Sequence, residues 1–291
     1  MDELNNNVEV GENFIDIERV ITDKNPKLLR VLPKFLIDYL KRVIHQKDLN
    51  LAIYTNRHKF DLDFLNAVFN QFGAKITTEG ITNIPRCGRY LIASNHPLGG
   101  LDGIALMCVV GKIRKDIVFP VNDILMNLPN INGLFIPVNK HGSNADNVSL
   151  FEETFASDKT LLYFPAGLCS RKQYGGISDL EWKKSFISKA RKHERNIIPT
   201  HIDGRNSNFF YNLANIRKIL GIKANIEMLY LVDEMYRQKN KHIHIVFGKP
   251  IPFQVFDKRF SDAVWAEHVK AFVYSLEQNP SGTFPFTIVK T

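Results

Sequence analysis

Short β-rich runs that alternate with helix-like stretches constrain the fold of this chain most strongly. Strands alternating with helices predict an α/β domain whose mixed, largely parallel sheet is flanked by helices. The predicted strands are 90–94, 117–121, 134–138, 160–165, 197–202 and 242–247, and the predicted helices are 101–110, 144–155 and 178–193. The last of these helices begins at Ser178 with Glu181 three residues on, which is the pattern of a capping box.

A helical segment, residues 1–50, is predicted to precede the α/β domain at 51–291. On a helix that begins at Pro33, polar side chains share one face and apolar side chains spread over much of the rest. This helix can pack on the domain, or it can lie in a membrane interface with its lysines at the headgroups. Both hold if it covers the core and reaches lipid at one edge. The polar face consists of Lys34, Asp38, Lys41, Arg42 and His45.

The chain is basic, with 38 lysines and arginines against 30 acidic residues and a formal charge of +8. This balance favours an acidic partner, whether nucleic acid, an anionic membrane surface or an acidic protein. The sequence shows no DNA-recognition helix or RNA-binding motif, so we do not expect a nucleic-acid partner. A non-catalytic basic protein that binds membranes or nucleic acid is the alternative from another functional class.

Cysteine usage and hydropathy bear on the compartment. The three cysteines, Cys87, Cys108 and Cys169, form no C-x-x-C pair, which indicates neither a disulfide framework nor a thiolate zinc site. The acidic N-terminus lacks the pattern of a secretory signal. No run approaches the roughly 18 continuous apolar residues of a membrane span. The sequence therefore predicts a cytoplasmic protein that is peripheral on the inner face of the cell membrane.

The stretch Ser94–Asp102, SNHPLGGLD, places two polar groups around two glycines directly after a predicted strand. Ligands of α/β domains collect beyond the carboxyl ends of strands, where His96 is expected to lie. A histidine held by a carboxylate has a fixed tautomer, so its other nitrogen can accept a proton from a hydroxyl. The alternative is that His96 is a turn residue bonded to a carbonyl group and that Asp102 is a first-turn helix acid.

Four segments in order resemble the motifs of the glycerolipid acyltransferase superfamily, lysophosphatidate acyltransferase type. The first is Ser94–Asp102, which resembles the histidine–aspartate motif, and Asn95 occupies its Asn position. The others are GLFIPVNK at 133–140, FPAGLCSRK at 164–172 and IIPTHIDG at 197–204. The resemblance implies that His96 and Asp102 are catalytic.

The first motif departs from the family's spacing, because five residues instead of four separate His96 from Asp102. The two side chains can meet only if the backbone between them is not helical. Gly99 and Gly100 can adopt positive φ and absorb the extra residue. We therefore expect a hydrogen bond of about 2.7 to 3.2 Å between the Asp102 carboxylate and a His96 ring nitrogen.

The later motifs depart in their polar residues. In the third, Ala166, Leu168 and Cys169 stand where the family has Glu, Thr and Arg. In the second, Asn139 stands at the usual arginine position and Lys140 follows it. A phosphate favours bidentate arginine partners, so the loss of these residues disfavours a phosphate-bearing acceptor. A lysophosphatidate-type phospholipid acyltransferase is therefore the alternative function.

A closer resemblance, to the hemolysin-related acyltransferase branch, extends from about residue 14 to residue 252. It rests on HPLGGLDG, FPAGLxSRK, DLxWKKxF and GRNSxFFY. This branch includes the O-acyltransferases that make ornithine and glycine lipids. The resemblance implies that a fatty acyl group is transferred to the hydroxyl of a lyso-aminolipid. The donor would be a thioester of acyl carrier protein or coenzyme A, with no other cofactor.

Several polar residues near these motifs are candidates for substrate binding. Arg171 and Lys172 can bind a carboxylate or the phosphopantetheine phosphate, or form only a solvated loop. Aromatic residues at 209–211 can line an acyl groove or pack in the core. The complete predicted set is Asn95, Gly99, Gly100, Asn139, Lys140, Pro165, Gly167, Ser170, Arg171, Lys172, Arg205, Asn206 and Ser207.

The predicted mechanism is direct attack of the acceptor hydroxyl on the thioester, with His96 as general base. The oxyanion would be held by backbone N–H groups near Gly99, Gly100 or Gly167. A serine hydrolase is disfavoured because the chain has no G-x-S-x-G, and nothing in the sequence fixes Cys169 as a nucleophile. No metal site is expected, since neither His242 with His244 nor His58 with Asp61 and Asp63 forms a complete ligand set.

Overall fold

The computed structural model of the chain describes residues 14–121, 128–137 and 145–289. Asn139 and Lys140, two of the predicted substrate-binding residues, lie outside the described residues. Residues 122–127 and 138–144 as a whole lie outside the described ranges.

The described strands form a seven-stranded mixed sheet and a small hairpin. The sheet order is β1-β9-β8-β2-β5-β3-β4, and the hairpin pairs β6 with β7. Strands β8, β2, β5, β3 and β4 run parallel, and β9 pairs antiparallel with β8. This confirms the predicted mixed, largely parallel sheet flanked by helices. The strands are β1 Lys75–Glu79, β2 Tyr90–Ser94, β3 Ile117–Val121, β4 Phe135–Pro137, β5 Thr160–Tyr163, β6 Arg171–Gln173, β7 Gly176–Ser178, β8 Asn196–Ile202 and β9 His242–Phe247.

Helices cover both faces of the sheet. Within the described ranges they are α1 Ile17–Lys24, α2 Pro26–Val31, α3 Lys34–Val43, α4 Gln46–Thr55, α5 Asp61–Phe72, α6 Gly100–Val110, α7 Ala145–Ala156, α8 Ser185–Lys192, α9 Asn208–Ile219, α10 Leu231–Tyr236 and α11 Asp262–Ser275. Short 3-10 helices are at Ile81–Asn83, Pro129–Leu134, Ile226–Tyr230 and Phe253–Val255.

Alternation along the central strands divides the core into two parts. On β2, Ile92 packs with α5 and α6, whereas Leu91 and Ala93 pack with α8 and α11. Successive strand residues point to opposite faces, so a continuous apolar strand fills both cores. Burial on both sides explains why β2 is apolar from Leu91 to Ala93.

The predicted helix 178–193 is wrong over its first half. Ser178 lies in β7 and pairs with Arg171, and the helix begins only at Ser185. The predicted capping box at Ser178 and Glu181 is therefore absent. The chain between them is held by the Asp179 side chain, which accepts hydrogen bonds from Trp182 and Ser170 instead of allowing a helical turn.

The N-terminal helices are tied to one another and to the sheet domain, because Phe14 and Ile15 pack against the core on one face of the sheet. Asn50 is buried, and its side chain bonds both the N–H and the carbonyl of Ile15. Helix α4 spans the predicted boundary between residues 50 and 51. Among the described helices, none has the length and apolar character needed to cross a membrane.

Candidate active site

The carboxyl ends of three neighbouring parallel strands converge on one place. His96 follows β2, the segment 164–170 follows β5, and residues 203–207 follow β8. Parallel strands present the loops at their carboxyl ends on one edge of the sheet, which brings these motifs together although they are far apart in the chain.

His96 and Asp102 form a hydrogen-bonded pair. Nδ1 of His96 lies 3.0 Å from Oδ1 of Asp102, within the expected range. The carboxylate also accepts hydrogen bonds from the N–H groups of Leu98, at 2.8 Å, and Gly103, at 2.9 Å. Asp102 is fully buried, whereas the His96 side chain keeps 18% of its surface exposed. The carboxylate thus fixes the ring and leaves Nε2 as the nitrogen that can take up a proton.

One glycine, and not two, absorbs the extra residue of the motif. Gly99 has φ 78° and ψ −123°, a conformation that disfavours any residue with a Cβ atom. The expectation of positive φ is wrong for Gly100, which is the first residue of α6 and has helical geometry. A Cβ atom on Gly99 would lie 2.9 Å from Leu231 Cδ2. The loop therefore needs glycine at position 99 for its conformation and for its packing against Leu231.

The environment of His96 changes its proton affinity. Burial acts to lower the pKa of His96, but the charge and hydrogen bond of Asp102 and the charge of Asp179 outweigh it. The pKa therefore lies above its ordinary value. Phe164 stacks on the imidazole, with ring centroids 4.1 Å apart and planes within 16°. Asp102 and Phe164 together restrict the ring to one orientation.

A second carboxylate, Asp179, holds the backbone of His96. Its Oδ1 accepts from the His96 N–H at 3.2 Å and from the Ser170 hydroxyl at 2.6 Å. In return the Ser170 N–H donates to the His96 carbonyl at 2.7 Å. Both the N–H and the carbonyl of His96 are thus hydrogen-bonded, the first to Asp179 and the second to Ser170. We did not predict this role for Asp179, although it is the first residue of the DLxWKKxF motif.

Asp179 is itself enclosed by aromatic groups. Its Oδ2 accepts from Trp182 Nε1 at 2.9 Å, and its N–H donates to the Tyr274 hydroxyl at 2.7 Å. Burial raises the pKa of the Asp179 carboxyl, and the hydrogen bonds from Ser170 and Trp182 oppose that change. Because Tyr274 lies on α11, this hydrogen-bond network connects the site to the C-terminal helix of the described chain.

Arg171 and Lys172, predicted together as substrate ligands, lie in different environments. Arg171 is buried, and its guanidinium donates to the Cys169 carbonyl at 2.7 Å and to Glu227 Oε1 at 2.9 Å. Arg217 forms a second ion pair with Glu227, at 2.8 Å. Arg171 therefore joins the third motif to the 3-10 helix Ile226–Tyr230, while Lys172 is exposed on the hairpin.

Cys169 has the surroundings of a structural thiol. It is fully buried, and burial raises its pKa to about 11. Its sulfur accepts a hydrogen bond from Arg171 at 2.9 Å. A thiol with a raised pKa carries little thiolate at neutral pH, which argues against a cysteine nucleophile.

Two asparagines connect the loops behind His96. The side-chain oxygen of Asn95 accepts from the Ile202 N–H at 2.7 Å, and its amide group donates to the Ile202 carbonyl at 2.9 Å. Asn206 is buried and donates to the Pro97 carbonyl at 3.2 Å. Both residues of the predicted set thus fix backbone positions around the loop that carries His96.

The remaining predicted residues lie at the edges of the loops. Ser207 is the N-cap of α9, and its N–H donates to Glu234 at 2.6 Å. Arg205 is exposed and donates to Asn208 at 2.6 Å. Pro165 is buried, and its carbonyl accepts from the Lys183 N–H at 3.1 Å. The Gly167 N–H donates to the Phe164 carbonyl at 3.0 Å, so this amide already has an acceptor.

The paired histidines on β9 bind a neighbouring hydroxyl. Thr77 Oγ1 lies 2.8 Å from both His242 Nε2 and His244 Nδ1. Across the described ranges, no group of three or more His, Cys, Asp or Glu side chains is arranged to hold a metal ion.

The family model and the curated relatives that match this chain are all acyltransferases. Residues 19–280 match the family described as acyltransferase. The lyso-glycine lipid O-acyltransferase of Bacteroides thetaiotaomicron is 48% identical over 265 residues, which cover 90% of this chain and 97% of that protein. The lyso-glycine lipid O-acyltransferase of Phocaeicola vulgatus is 47% identical over 265 residues, which cover 90% of this chain and 95% of that protein.

Among solved structures, the 1-acyl-sn-glycerophosphate (LPA) acyltransferase PlsC from Thermotoga maritima resembles this chain. The TM-score is 0.49 and the sequence identity is 16%, over 84% of this chain and 89% of that chain.

Proposed function

Because this chain belongs to the acyltransferase family, we propose that it transfers a fatty acyl group from a thioester to the hydroxyl of a lyso-aminolipid, of the lyso-glycine lipid class. The observation that carries this proposal is the His96–Asp102 pair at the carboxyl end of β2. The two relatives are named as lyso-glycine lipid O-acyltransferases, which supports the choice of acceptor.

The first chemical step in this proposal is proton transfer to His96. Nε2 takes the proton of the acceptor hydroxyl while the oxygen attacks the thioester carbonyl carbon. Asp102, bonded to Nδ1, stabilises the imidazolium that forms. The raised pKa of His96 is consistent with a base strong enough to accept this proton.

The second step is collapse of the tetrahedral intermediate. The carbon–sulfur bond breaks, and the imidazolium returns its proton to the leaving thiolate, so that an ester and a thiol are formed. Backbone N–H groups of Gly99 and Gly100, at the start of α6, are our candidates for holding the oxyanion. The Gly167 N–H is a weaker candidate because it donates to Phe164.

The side chains of the third motif, residues 164–172, suit an aminolipid acceptor better than a phosphorylated acceptor. The arginine of this motif, Arg171, is buried and its guanidinium is already paired with Glu227, so it does not face an acceptor. A phosphate monoester requires strong cationic partners. The glycine head group presents a single carboxylate, for which the exposed Lys172 and Arg205 are candidates. An ornithine head group would add an ammonium to the same scaffold.

The thioester donor in this proposal is acyl carrier protein, with coenzyme A as the alternative. The net charge of +8 favours contact with an acidic carrier protein. Lys183, whose side chain lies near Gly167, and Lys184 are exposed beside the site. They are candidates for binding the carrier or the phosphate of phosphopantetheine.

The proposal is tested by supplying purified protein with four substrate combinations and measuring products by mass spectrometry. Lyso-glycine lipid and lysophosphatidate are each combined with acyl carrier protein thioester or acyl-coenzyme A. We expect diacylated glycine lipid from the first acceptor and little product from the second. We also expect faster transfer from the acyl carrier protein thioester than from acyl-coenzyme A. Preferential acylation of lysophosphatidate would overturn the choice of acceptor. Equal or faster transfer from acyl-coenzyme A would overturn the choice of donor.

A further inference from the structure

Helix α9 carries an apolar stripe that faces solvent. Its inner face is buried through Phe210, Ala214 and Arg217. On the opposite side, Phe209, Ile216, Ile219 and Leu220 are exposed, Ile219 to 84% and Leu220 to 66%. Positions 209, 216 and 220 follow the spacing of one helix face. Large aliphatic side chains in such an array are costly to leave in water.

A second exposed stripe lies on the N-terminal helices. Val31, Phe35 and Tyr39 follow one another at intervals of four residues, and the first two are more than 70% exposed. They lie at the end of α2 and along α3. The predicted interfacial character of this segment thus has a counterpart in exposed side chains.

The two stripes are joined by direct contacts. The hydroxyls of Tyr39 and Tyr230 are 2.9 Å apart. The ring of Tyr230 in turn meets the ring of Phe209 edge-on, with centroids 4.9 Å apart. We call the combined surface, formed by the α2–α3 stripe and the α9 stripe, the two-stripe face.

Basic residues accompany both stripes. Residues 24–39, which include the first stripe, contain four lysines and arginines and one acidic residue, Asp38. Residues 204–226, which include the second stripe, contain four lysines and arginines and no acidic residue. Lys27, Arg30 and Lys34 are exposed beside the first stripe, and Lys218 and Lys223 beside the second. Arg217 is the exception, since it is buried and paired with Glu227.

The two-stripe face adjoins the catalytic loop. Helix α9 begins directly after Ser207, in the loop that is bonded to Pro97 through Asn206. Leu231, which follows Tyr230, packs against Gly99. A surface bound at this face would therefore lie close to the His96 loop.

We propose that the two-stripe face docks on an anionic lipid bilayer, and that α9 supplies half of the docking surface. This deepens the proposed function, on which it rests, because a lyso-lipid acceptor has to leave a membrane to reach His96. Aliphatic and aromatic side chains enter the interface, and the flanking lysines contact anionic headgroups. The charge pattern favours this occupant over a second copy of the same basic chain.

The test is sedimentation of the full chain with vesicles of phosphatidylglycerol and phosphatidylcholine. Ile219→Ser/Leu220→Ser should lower the partition coefficient at least about tenfold. Lys218→Gln/Lys223→Gln should lower it about fivefold per lysine, and only on anionic vesicles. The control is Leu150→Ser/Val264→Ser, because these two aliphatic residues are also exposed, 41% and 42%, but lie on α7 and α11, outside the two-stripe face. The control should bind as the unmodified chain does.

Unchanged binding of the Ile219/Leu220 variant, or equal loss in the control, would overturn the proposal. Sedimentation velocity without lipid measures the alternative occupant. A dimer that is lost in the variant, with no vesicle binding by the unmodified chain, would show that the face binds a second copy.

An activity assay with a short-chain acceptor, below its critical micelle concentration, separates membrane docking from catalysis because no bilayer is present. The variant should keep this activity, whereas failure of the unmodified chain in this assay would count against the proposed function alone.

Discussion

The N–H of His96 and the carboxylate of Asp179 are joined by a hydrogen bond of 3.2 Å, on the backbone side of the residue whose ring is bound by Asp102. Two buried carboxylates from distant segments thus hold one histidine, one through its side chain and one through its main chain. The ring orientation and the loop position are fixed separately.

Asp179 is therefore predicted to be a positioning residue. Asp179→Asn has one oxygen for three donors, from His96, Ser170 and Trp182, so the loop should shift. We expect kcat to fall roughly 10-fold to 100-fold with a smaller change in KM. The variant should also lower the pH midpoint of kcat/KM, because the Asp179 charge contributes to the raised pKa of His96. An unchanged midpoint with lower thermal stability would indicate a structural role alone.

The pH dependence of transfer follows from the raised pKa of His96. A general base acts in its neutral form, so kcat/KM should rise with pH through a midpoint above the ordinary histidine value of about 6.5. Asp102→Asn removes the largest contribution that raises the pKa, and burial then lowers it. The midpoint should therefore move to lower pH while the plateau falls. A variant profile that moves to higher pH would contradict this electrostatic account.

Gly99 and Gly100 provide a matched pair of substitutions. Gly99→Ala places an alanine at positive φ with its Cβ atom against Leu231, which should cost about 1–3 kcal/mol of stability and displace the loop that carries His96. Gly100→Ala adds a Cβ atom with no neighbour within 4 Å, in helical geometry, and should be close to neutral in stability. Thermal unfolding and transfer rates of both variants measure the difference. Equal behaviour would contradict the assignment of the extra residue to Gly99.

The buried ion cluster of Arg171, Arg217 and Glu227 is predicted to stabilise the site. Glu227→Gln leaves two buried guanidinium groups without a counter-charge and should lower the free energy of unfolding by about 3–5 kcal/mol. Lys172→Ala, on the exposed hairpin, should change stability by less than about 0.5 kcal/mol. Denaturant unfolding of the two variants measures the difference in their free energies of unfolding. A stable Glu227→Gln protein would mean that the cluster carries little of the fold.

The sequence was sufficient to predict six of the seven strands of the sheet and the His96–Asp102 contact, because both depend on local patterns. Apolar strands buried on two faces are evident as continuous runs, and the motif spans only nine residues. Strand β1 was not predicted because its alternating, half-exposed residues carry a weak signal. The roles of Asp179 and Arg171 depend on contacts with residues 83 and 56 positions away. Such partners are fixed by the order of strands in the sheet, which no local pattern contains.

The central claim, that His96 is the general base, is tested most directly by His96→Ala in the lyso-glycine lipid assay. His58→Ala, an exposed histidine outside the site, is the matched control. The account predicts that the folded His96 variant loses transfer by roughly 10²-fold to 10⁴-fold, while still sedimenting with vesicles, and that the control keeps its activity. A folded His96→Ala protein that acylates the acceptor at a near-normal rate would contradict the account.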